Sequence, residues 1–441
     1  MKVMSGNAPF PRPDPRSMLV ILPTWVGDFV MATPALRALR ARFLEARVTF
    51  LLEANLRDLV RGGDWMDDCL EWPDRRARNP MSKPYRVLVR ELRHRSFDWA
   101  ISFPNSFRAA LIARLSGATH RIGYDRDGRG FLLTARIPVK NRRIRVGRGE
   151  DGRGKEASPS TEADGARGSA DLPAVAQAKA RGSAVEKNPV AWRAMVREHE
   201  LAIPLPTTCR TRFIPMPLVE YYADLVEAIG CPRPSDELEL YTNPEDDEEV
   251  RRRLRETDVD DGRPIVVLSP GAKYGAAKCW FPERFAEVGD RLIASHGAAV
   301  LVTCGPGEEP IAQRVGACMT RGGIVLHEPR LTLGELQSLI SRADLLIGND
   351  TGPRHFARAF GVPMVTIFGP THPDWTATRY SLERIVRINI ECGPCQQRVC
   401  PLGHVNCIGG VTSDQVYHRA VELLNDRAPR APITRATGCH V

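Results

Sequence analysis

Residues 341–376 read SRADLLIGNDTGPRHFARAFGVPMVTIFGPTHPDWT, and the fold is decided there. Leu345, Leu346 and Ile347 form an apolar run short enough for a buried strand, and Gly348 to Gly352 make a turn. An amphipathic segment from about Pro353 to Phe360 predicts a helix, which Gly361-Val362-Pro363 stops. Met364 to Phe368 then predicts a second strand, ending at Gly369-Pro370. Strand, turn, helix, strand is one unit of a parallel α/β sheet. In such sheets the turn leading into the helix faces ligands, because its N–H groups point outward and the helix dipole favours an anion. Pro353 suits the first turn, where a missing N–H leaves nothing unpaired. Asp350 and His355 add polar groups that a purely structural turn does not need, so a phosphate-bearing ligand is expected at this turn.

Working outward, three strand ends in the second half carry polar turns. Pro264 to Leu268 predicts a strand that ends in Ser269-Pro270-Gly271-Ala272, and the segment KYGAAKCWFP runs on from Lys273 to Pro282. Ala299 to Thr303 ends in Cys304-Gly305-Pro306-Gly307-Glu308-Glu309. With 348–355 these clusters lie on one edge of one sheet and predict a cleft. Helices are expected over Glu283–Ser295 and Leu333–Ile340, and a further strand over Ile324–Leu326.

The first half repeats the alternation. Met18 to Pro23 predicts a strand, Thr24 to Asp28 a loop, and Phe29 to Phe43 a helix carrying Arg37, Arg40 and Arg42. Further strands are expected at Val48–Leu52 and Trp99–Phe103, a helix at Phe107–Leu115, and a turn at Arg121–Tyr124. The first loop is not GxGxxG, so the dinucleotide fingerprint is missing. A Rossmann-like first domain is expected over 18–232, with a flexible insertion at about 140–187. Residues 217–230 and 248–255 read as helices. A second Rossmann-like domain follows over 233–425, between a Pro-rich leader at 1–17 and a tail at 426–441.

At 441 residues with 43% hydrophobic content, two cores can be filled. The net charge of +9 is uneven: residues 1–232 hold 38 Lys and Arg against 26 Asp and Glu, and the remainder 24 against 27. An anionic partner is therefore expected at the first half. Nucleic acid ranks last, because no aromatic–basic interleaving accompanies the charge. The apolar run Met18–Leu39 contains Pro23, Gly27, Asp28 and Pro34, which argues against a membrane span; a cytoplasmic chain able to rest on a membrane is expected. Eleven scattered cysteines do not suggest a secreted disulfide framework. Cys392, Cys395, Cys400 and Cys407, spaced C-x2-C-x4-C-x6-C around His404, can close a structural zinc site or simply form a packed thiol loop; no standard iron–sulfur run is matched.

ILPTWVGDFVMATPALRAL at 21–39, LSPGAKYGAAKCWFPERFAEV at 268–288, the 347–376 stretch and CGPCQQRVCPLGHVNCI at 392–408 together carry a family resemblance. The chain resembles the ADP-heptose:lipopolysaccharide heptosyltransferases, glycosyltransferase family 9. The resemblance implies a GT-B architecture, two Rossmann-like domains facing across a cleft, with the acceptor on the first domain and ADP-heptose on the second. It makes Asp28 the catalytic base, although a Gly-Asp before a helix also reads as a cap. Lys278 would meet the donor diphosphate. Gly271, Ala272, Asp350, Thr351, Gly352 and His355 would form the donor site, with Gly352 opening the backbone to phosphates and Asp350 holding a sugar hydroxyl. His355 reads either as a phosphate ligand or as a satisfied helix histidine. Glu308 or Glu309 would take the ribose, the spacing from Gly305 favouring Glu309, and Leu331 would lie beside the base. Arg37 and Arg40 are the acceptor candidates. The implied reaction transfers heptose to a Kdo-containing anionic glycolipid and requires no cofactor; a nucleotide-sugar epimerase or hydrolase is the other enzyme the fold would suit.

Overall fold

The computed structural model describes residues 13–74, 82–139, 143–145, 211–213, 216–257, 259, 262–377 and 379–426. Most of the leader, most of the 140–187 insertion and nearly all of the tail lie outside them.

The first sheet has six parallel strands in the order β3-β2-β1-β4-β5-β6: β1 Ser17–Ile21, β2 Arg47–Leu52, β3 Asp68–Glu71, β4 Trp99–Ser102, β5 His120–Tyr124 and β6 Ala135–Ile137. A short antiparallel pair, β7 Arg143–Arg145 with β8 Thr211–Phe213, stands apart. The second sheet comprises β9 Ile265–Ser269, β10 Ala299–Thr303, β11 Ile324–Leu326, β12 Leu345–Asn349, β13 Met364–Phe368 and β14 Glu383–Arg387. Its order, β11-β10-β9-β12-β13-β14, repeats the first, and all its pairs are parallel. In each sheet the order reverses beside the first strand, which creates the crevice where such sheets bind ligands.

The helices of the first half are α1 Val26–Arg42, α2 Arg57–Val60, α3 Lys83–His94, α4 Phe107–Leu115 and α5 Leu218–Glu227. Those of the second are α6 Pro244–Glu256, α7 Pro282–His296, α8 Glu309–Cys318, α9 Leu333–Arg342, α10 Gly352–Ala359, α11 Asn406–Gly409 and α12 Ser413–Asn425. α1 stays helical through Pro34 because the carbonyl of Val30, which the proline cannot bond, accepts the Thr33 hydroxyl at 2.8 Å. The strand ends and most helix ends fall within two residues of expectation. Arg121–Tyr124 does not: it is strand β5, and its glycine serves close packing, not a turn. A Cβ on Gly123 would come within 3.3 Å of the buried Arg129 guanidinium and 3.4 Å of the Ser102 carbonyl.

One apolar core runs without interruption from Met18, Val20 and Phe29 of the first domain to Leu339, Leu346 and Phe356 of the second. The inner faces of α1 and α10 meet within it. Among the described residues no helix is long and apolar enough to cross a membrane.

Candidate active site

The loop after β1 and the loop after β12 face each other, and two glycines set how closely. A Cβ on Gly27 would lie 2.9 Å from His355 Cδ2, and one on Gly352 would lie 2.8 Å from Val26 Cγ1. The missing side chain of Gly352 therefore makes room for the opposite domain, where the sequence suggested room for phosphates. The amino ends of α1 and α10 converge, so two helix dipoles present positive ends to one place. Thr351 caps α10 by position while its hydroxyl bonds the Asn349 carbonyl at 3.3 Å. His355 is buried, its Nδ1 has no partner among the described residues, and burial followed by the Arg354 charge lowers its pKa to about 3. It is a neutral imidazole at the domain contact.

Asp28 sits in the first turn of α1 and is partly exposed. Burial pushes its carboxyl up to about 6; the Lys278 charge opposes this and the Asp350 charge adds to it. A carboxylate in that range is a better proton acceptor near neutrality than an ordinary aspartate.

Lys278 is buried, as is Asp350. The ammonium donates to Asp350 Oδ2 at 2.5 Å and to the Asp350 carbonyl at 2.9 Å, which leaves one N–H for a ligand. The same Oδ2 accepts the Thr371 hydroxyl at 2.9 Å, and Oδ1 accepts Arg354 Nη1 at 3.1 Å and Thr376 at 3.3 Å. Burial alone would raise the Asp350 carboxyl, but Lys278 and Arg354 hold it down at about 2. With both oxygens occupied, Asp350 is the anchor of Lys278 and is not placed to hold a sugar hydroxyl. Arg354 passes the chain of charge on to Glu383 at 2.6 Å, and Thr366 donates to the same carboxylate at 2.6 Å. Lys278, Asp350, Arg354 and Glu383 thus alternate in sign from the cleft to strand β14.

On the other side of the turn, Gly271 faces Glu308: a Cβ there would fall 2.0 Å from its Oε2, which accepts the Gly305 N–H at 2.9 Å. Glu309, the residue favoured by spacing, pairs instead with Arg330 at 2.6 Å. Glu308, not Glu309, is thus the glutamate beside the Gly271 turn, and burial raises its carboxyl. Ala272 is buried with Cys279 and Ile311, and Leu331 is buried in the interdomain core. Asn349 couples two loops, accepting Trp280 N–H at 3.1 Å and donating to the Pro270 carbonyl at 2.7 Å.

Arg37 and Arg40 stand apart from this constellation. Arg37 lies about 14 Å further along α1 than Asp28 at 1.5 Å per residue. It bonds Glu239 at 2.6 Å and Ser235 at 3.0 Å, and Arg40 bonds Asp67 at 2.8 Å and the Asp64 carbonyl at 3.1 Å. Arg40 ties the first domain together, Arg37 ties α1 to the segment that enters the second, and neither guanidinium is aimed at Asp28. Cys392, Cys395, Cys400, Cys407 and His404 line one cavity of about 180 Å³, with Cys392 Sγ 3.8 Å from His404 Nε2. Among the described residues no three such groups are arranged to hold a metal ion.

Sequence reasoning missed Arg354, Glu383, Thr371, Thr376 and Asn349 in this network. The Asp350–Arg354 pair was legible only as an i,i+4 spacing across the start of α10. Glu383 carried no local signal, because its partner is 29 residues away.

A family model described as glycosyltransferase family 9 (heptosyltransferase) matches residues 85–150 and 163–406. Lipooligosaccharide heptosyltransferase 2 of Campylobacter jejuni is 30% identical over 169 residues, 38% of this chain and 53% of the relative, so this chain spans about half of that protein's length. Lipopolysaccharide heptosyltransferase 2 of Escherichia coli is 24% identical over 375 residues, 84% of this chain and 88% of the relative. Two solved structures share the fold. A family 9 glycosyl transferase from Veillonella parvula has a TM-score of 0.66 at 17% identity, and E. coli ADP-heptose lps heptosyltransferase II 0.62 at 20%; each match covers 93% of this chain and 98% of the other. The paired six-stranded sheets are the two Rossmann-like domains of a GT-B fold. The family model covers most of the chain, including the Lys278 and Asp350 turns, and on that ground the chain belongs to glycosyltransferase family 9, the heptosyltransferase family.

Proposed function

We propose that this chain is an inverting glycosyltransferase that moves heptose from ADP-heptose to an inner-core lipopolysaccharide acceptor, Kdo-lipid A or heptosyl-Kdo-lipid A. The reading is supported by the names of the relatives and, above all, by one observation: Asp28, pushed up to about 6, faces a cleft whose other wall carries Lys278. Asp28 takes the proton of the acceptor hydroxyl as that oxygen attacks the anomeric carbon. The bond from that carbon to the ADP oxygen breaks on the opposite side, and the configuration inverts in one displacement. Negative charge grows on the departing diphosphate. The remaining N–H of Lys278 and the amino end of α10 oppose that charge, stabilising the transition state more than the ground state. Glu308 beside Gly271 takes the ribose role that spacing gave to Glu309.

The test is a donor screen by thermal shift with ADP-, UDP-, GDP- and CMP-sugars, followed by turnover with and without a Kdo-lipid acceptor. ADP-sugars alone are expected to raise the melting temperature, by about 2.7 kcal/mol of stabilisation at a hundredfold excess over Kd. Turnover should require the acceptor. Steady consumption of donor without acceptor would instead establish an epimerase or hydrolase.

A further inference from the structure

Three aromatic side chains stand exposed along one edge of the first sheet. Trp25, 40% exposed, follows β1; Phe107, 51% exposed, follows β4; Phe131, 66% exposed, follows β5. The three strands are neighbours, so the aromatics form a row at their carboxyl ends, on the edge that also carries Asp28. Phe107 and Phe131 contact each other, with ring centroids 6.1 Å apart. Adjacent strands lie about 4.8 Å apart, so this pair begins roughly one strand spacing from the loop of the base.

Helix α3 borders the row. Tyr85 in its first turn meets Arg108 of α4 at 3.5 Å, next to Phe107. The inner face of α3 buries Tyr85, Leu88 and Leu92, while Lys83, Arg86, Val87 and Arg90 form a single exposed stripe at i, i+3, i+4 and i+7. Among the described residues no carboxylate pairs with Lys83, Arg86 or Arg90. Residues 82–139 as a whole hold 11 Lys and Arg against 4 Asp and Glu.

We propose that this edge docks on an anionic lipid bilayer, with Phe107 and Phe131 entering the interface and the α3 stripe meeting the headgroups. Two physical arguments select a bilayer. Aromatic rings favour the boundary between headgroups and acyl chains, whereas a soluble monomer gains nothing by exposing a contacting pair of phenylalanines. A stripe of exposed cations that no described carboxylate pairs is attracted to the negative surface of such a bilayer within about one Debye length. The placement also follows from the proposed reaction, on which this inference rests. An acceptor whose lipid stays in the membrane can present its hydroxyl to Asp28 only if the membrane lies along the same sheet edge.

The experiment is co-sedimentation of the full chain with vesicles of phosphatidylcholine alone or mixed with phosphatidylglycerol, neither containing the acceptor. The chain is expected to bind the anionic vesicles, to release them at high salt, and to ignore the neutral ones. Phe107→Ser with Phe131→Ser, and separately Lys83→Glu with Arg86→Glu and Arg90→Glu, should each weaken anionic-vesicle binding about tenfold or more. Both sets should keep the wild-type thermal shift with ADP, which shows that the fold and donor lobe are intact; if one set misfolds, the other still decides. Wild-type vesicle binding by either folded set overturns the proposal. So does binding that appears only when Kdo-lipid A is added to the vesicles in a third arm, because the contact would then be glycolipid recognition. Vesicle binding needs no sugar transfer, so a chain that docks yet responds to no ADP-sugar refutes the proposed reaction and leaves the docking surface standing.

Discussion

The loops after β1 and β12 occupy the same place in two copies of one topology, and each carries an aspartate whose carboxyl departs from the ordinary range in the opposite direction. Asp28 is pushed up to about 6 and Asp350 held down at about 2. Burial raises both. The difference lies in what surrounds them: Asp350 has Lys278 and Arg354 in direct contact and two hydroxyls besides, whereas Asp28 feels Lys278 only at a distance. One fold thus makes a proton acceptor on one wall of the cleft and a fixed counter-ion on the other, by giving or withholding a bonded cation.

The largest effects expected from this contrast are paired. Asp28→Asn should lower turnover by about 10²- to 10⁴-fold while leaving the melting temperature and the ADP shift near wild type. Asp350→Asn should destabilise the protein by about 3–5 kcal/mol, because Lys278 remains buried without its anion while Arg354 keeps only Glu383. Thermal melts and single-turnover rates of the two variants separate the roles. If Asp28→Asn melts early while Asp350→Asn only slows the reaction, the assignment of base and anchor is reversed.

The pH dependence comes next. Turnover governed by Asp28 should rise with pH, bend near 6 and then level, since the base must be deprotonated. Stability should respond in two opposite ways. Asp28, raised in the folded state, contributes stability fully present below its unfolded value of 3.8 and lost as pH rises through about 6. Asp350, depressed in the folded state, contributes stability present above 3.8 and lost as pH falls through about 2. A melt series that compares each Asp→Asn variant with wild type resolves the two windows, and identical pH profiles for both variants would remove the contrast.

Much of this was legible in the residues themselves. Period and punctuation placed β9, β10, β12 and β13 because parallel strands covered on both faces are continuous apolar runs, and Leu345–Ile347 and Met364–Phe368 are such runs. The edge strands β3 and β14 escaped, since DCLE and ERIVR mix polar and apolar residues as half-covered strands do. At the site, Asp28 stood out as a charge beside a glycine turn, while Lys278 was legible only through the family resemblance. What could not be read was direction. Glu308 and Glu309 are neighbours, yet the turn into α8 aims one at Gly271 and the other at Arg330. Likewise Asp350 reads as a polar turn residue until Thr371, Thr376 and Arg354, which arrive from two elements and a loop, are seen to fill its oxygens.

The smallest effect sharpens the comparison from the side of the residues the site excludes. Arg37 lies on a basic helix that starts at the cleft, but its guanidinium is bonded to Glu239 and Ser235 on a partly exposed face. Such a pair contributes little, within about 1 kcal/mol, because water screens it and two long side chains must be held still. Arg37→Ala should therefore leave the KM for acceptor and the turnover number within about twofold of wild type, with a melting temperature only slightly lowered. Steady-state kinetics across acceptor concentrations is the measurement. A tenfold rise in the acceptor KM with stability unchanged would return Arg37 to the acceptor site, reached through the two N–H donors that its bonds to Glu239, Ser235 and the Glu237 carbonyl leave over.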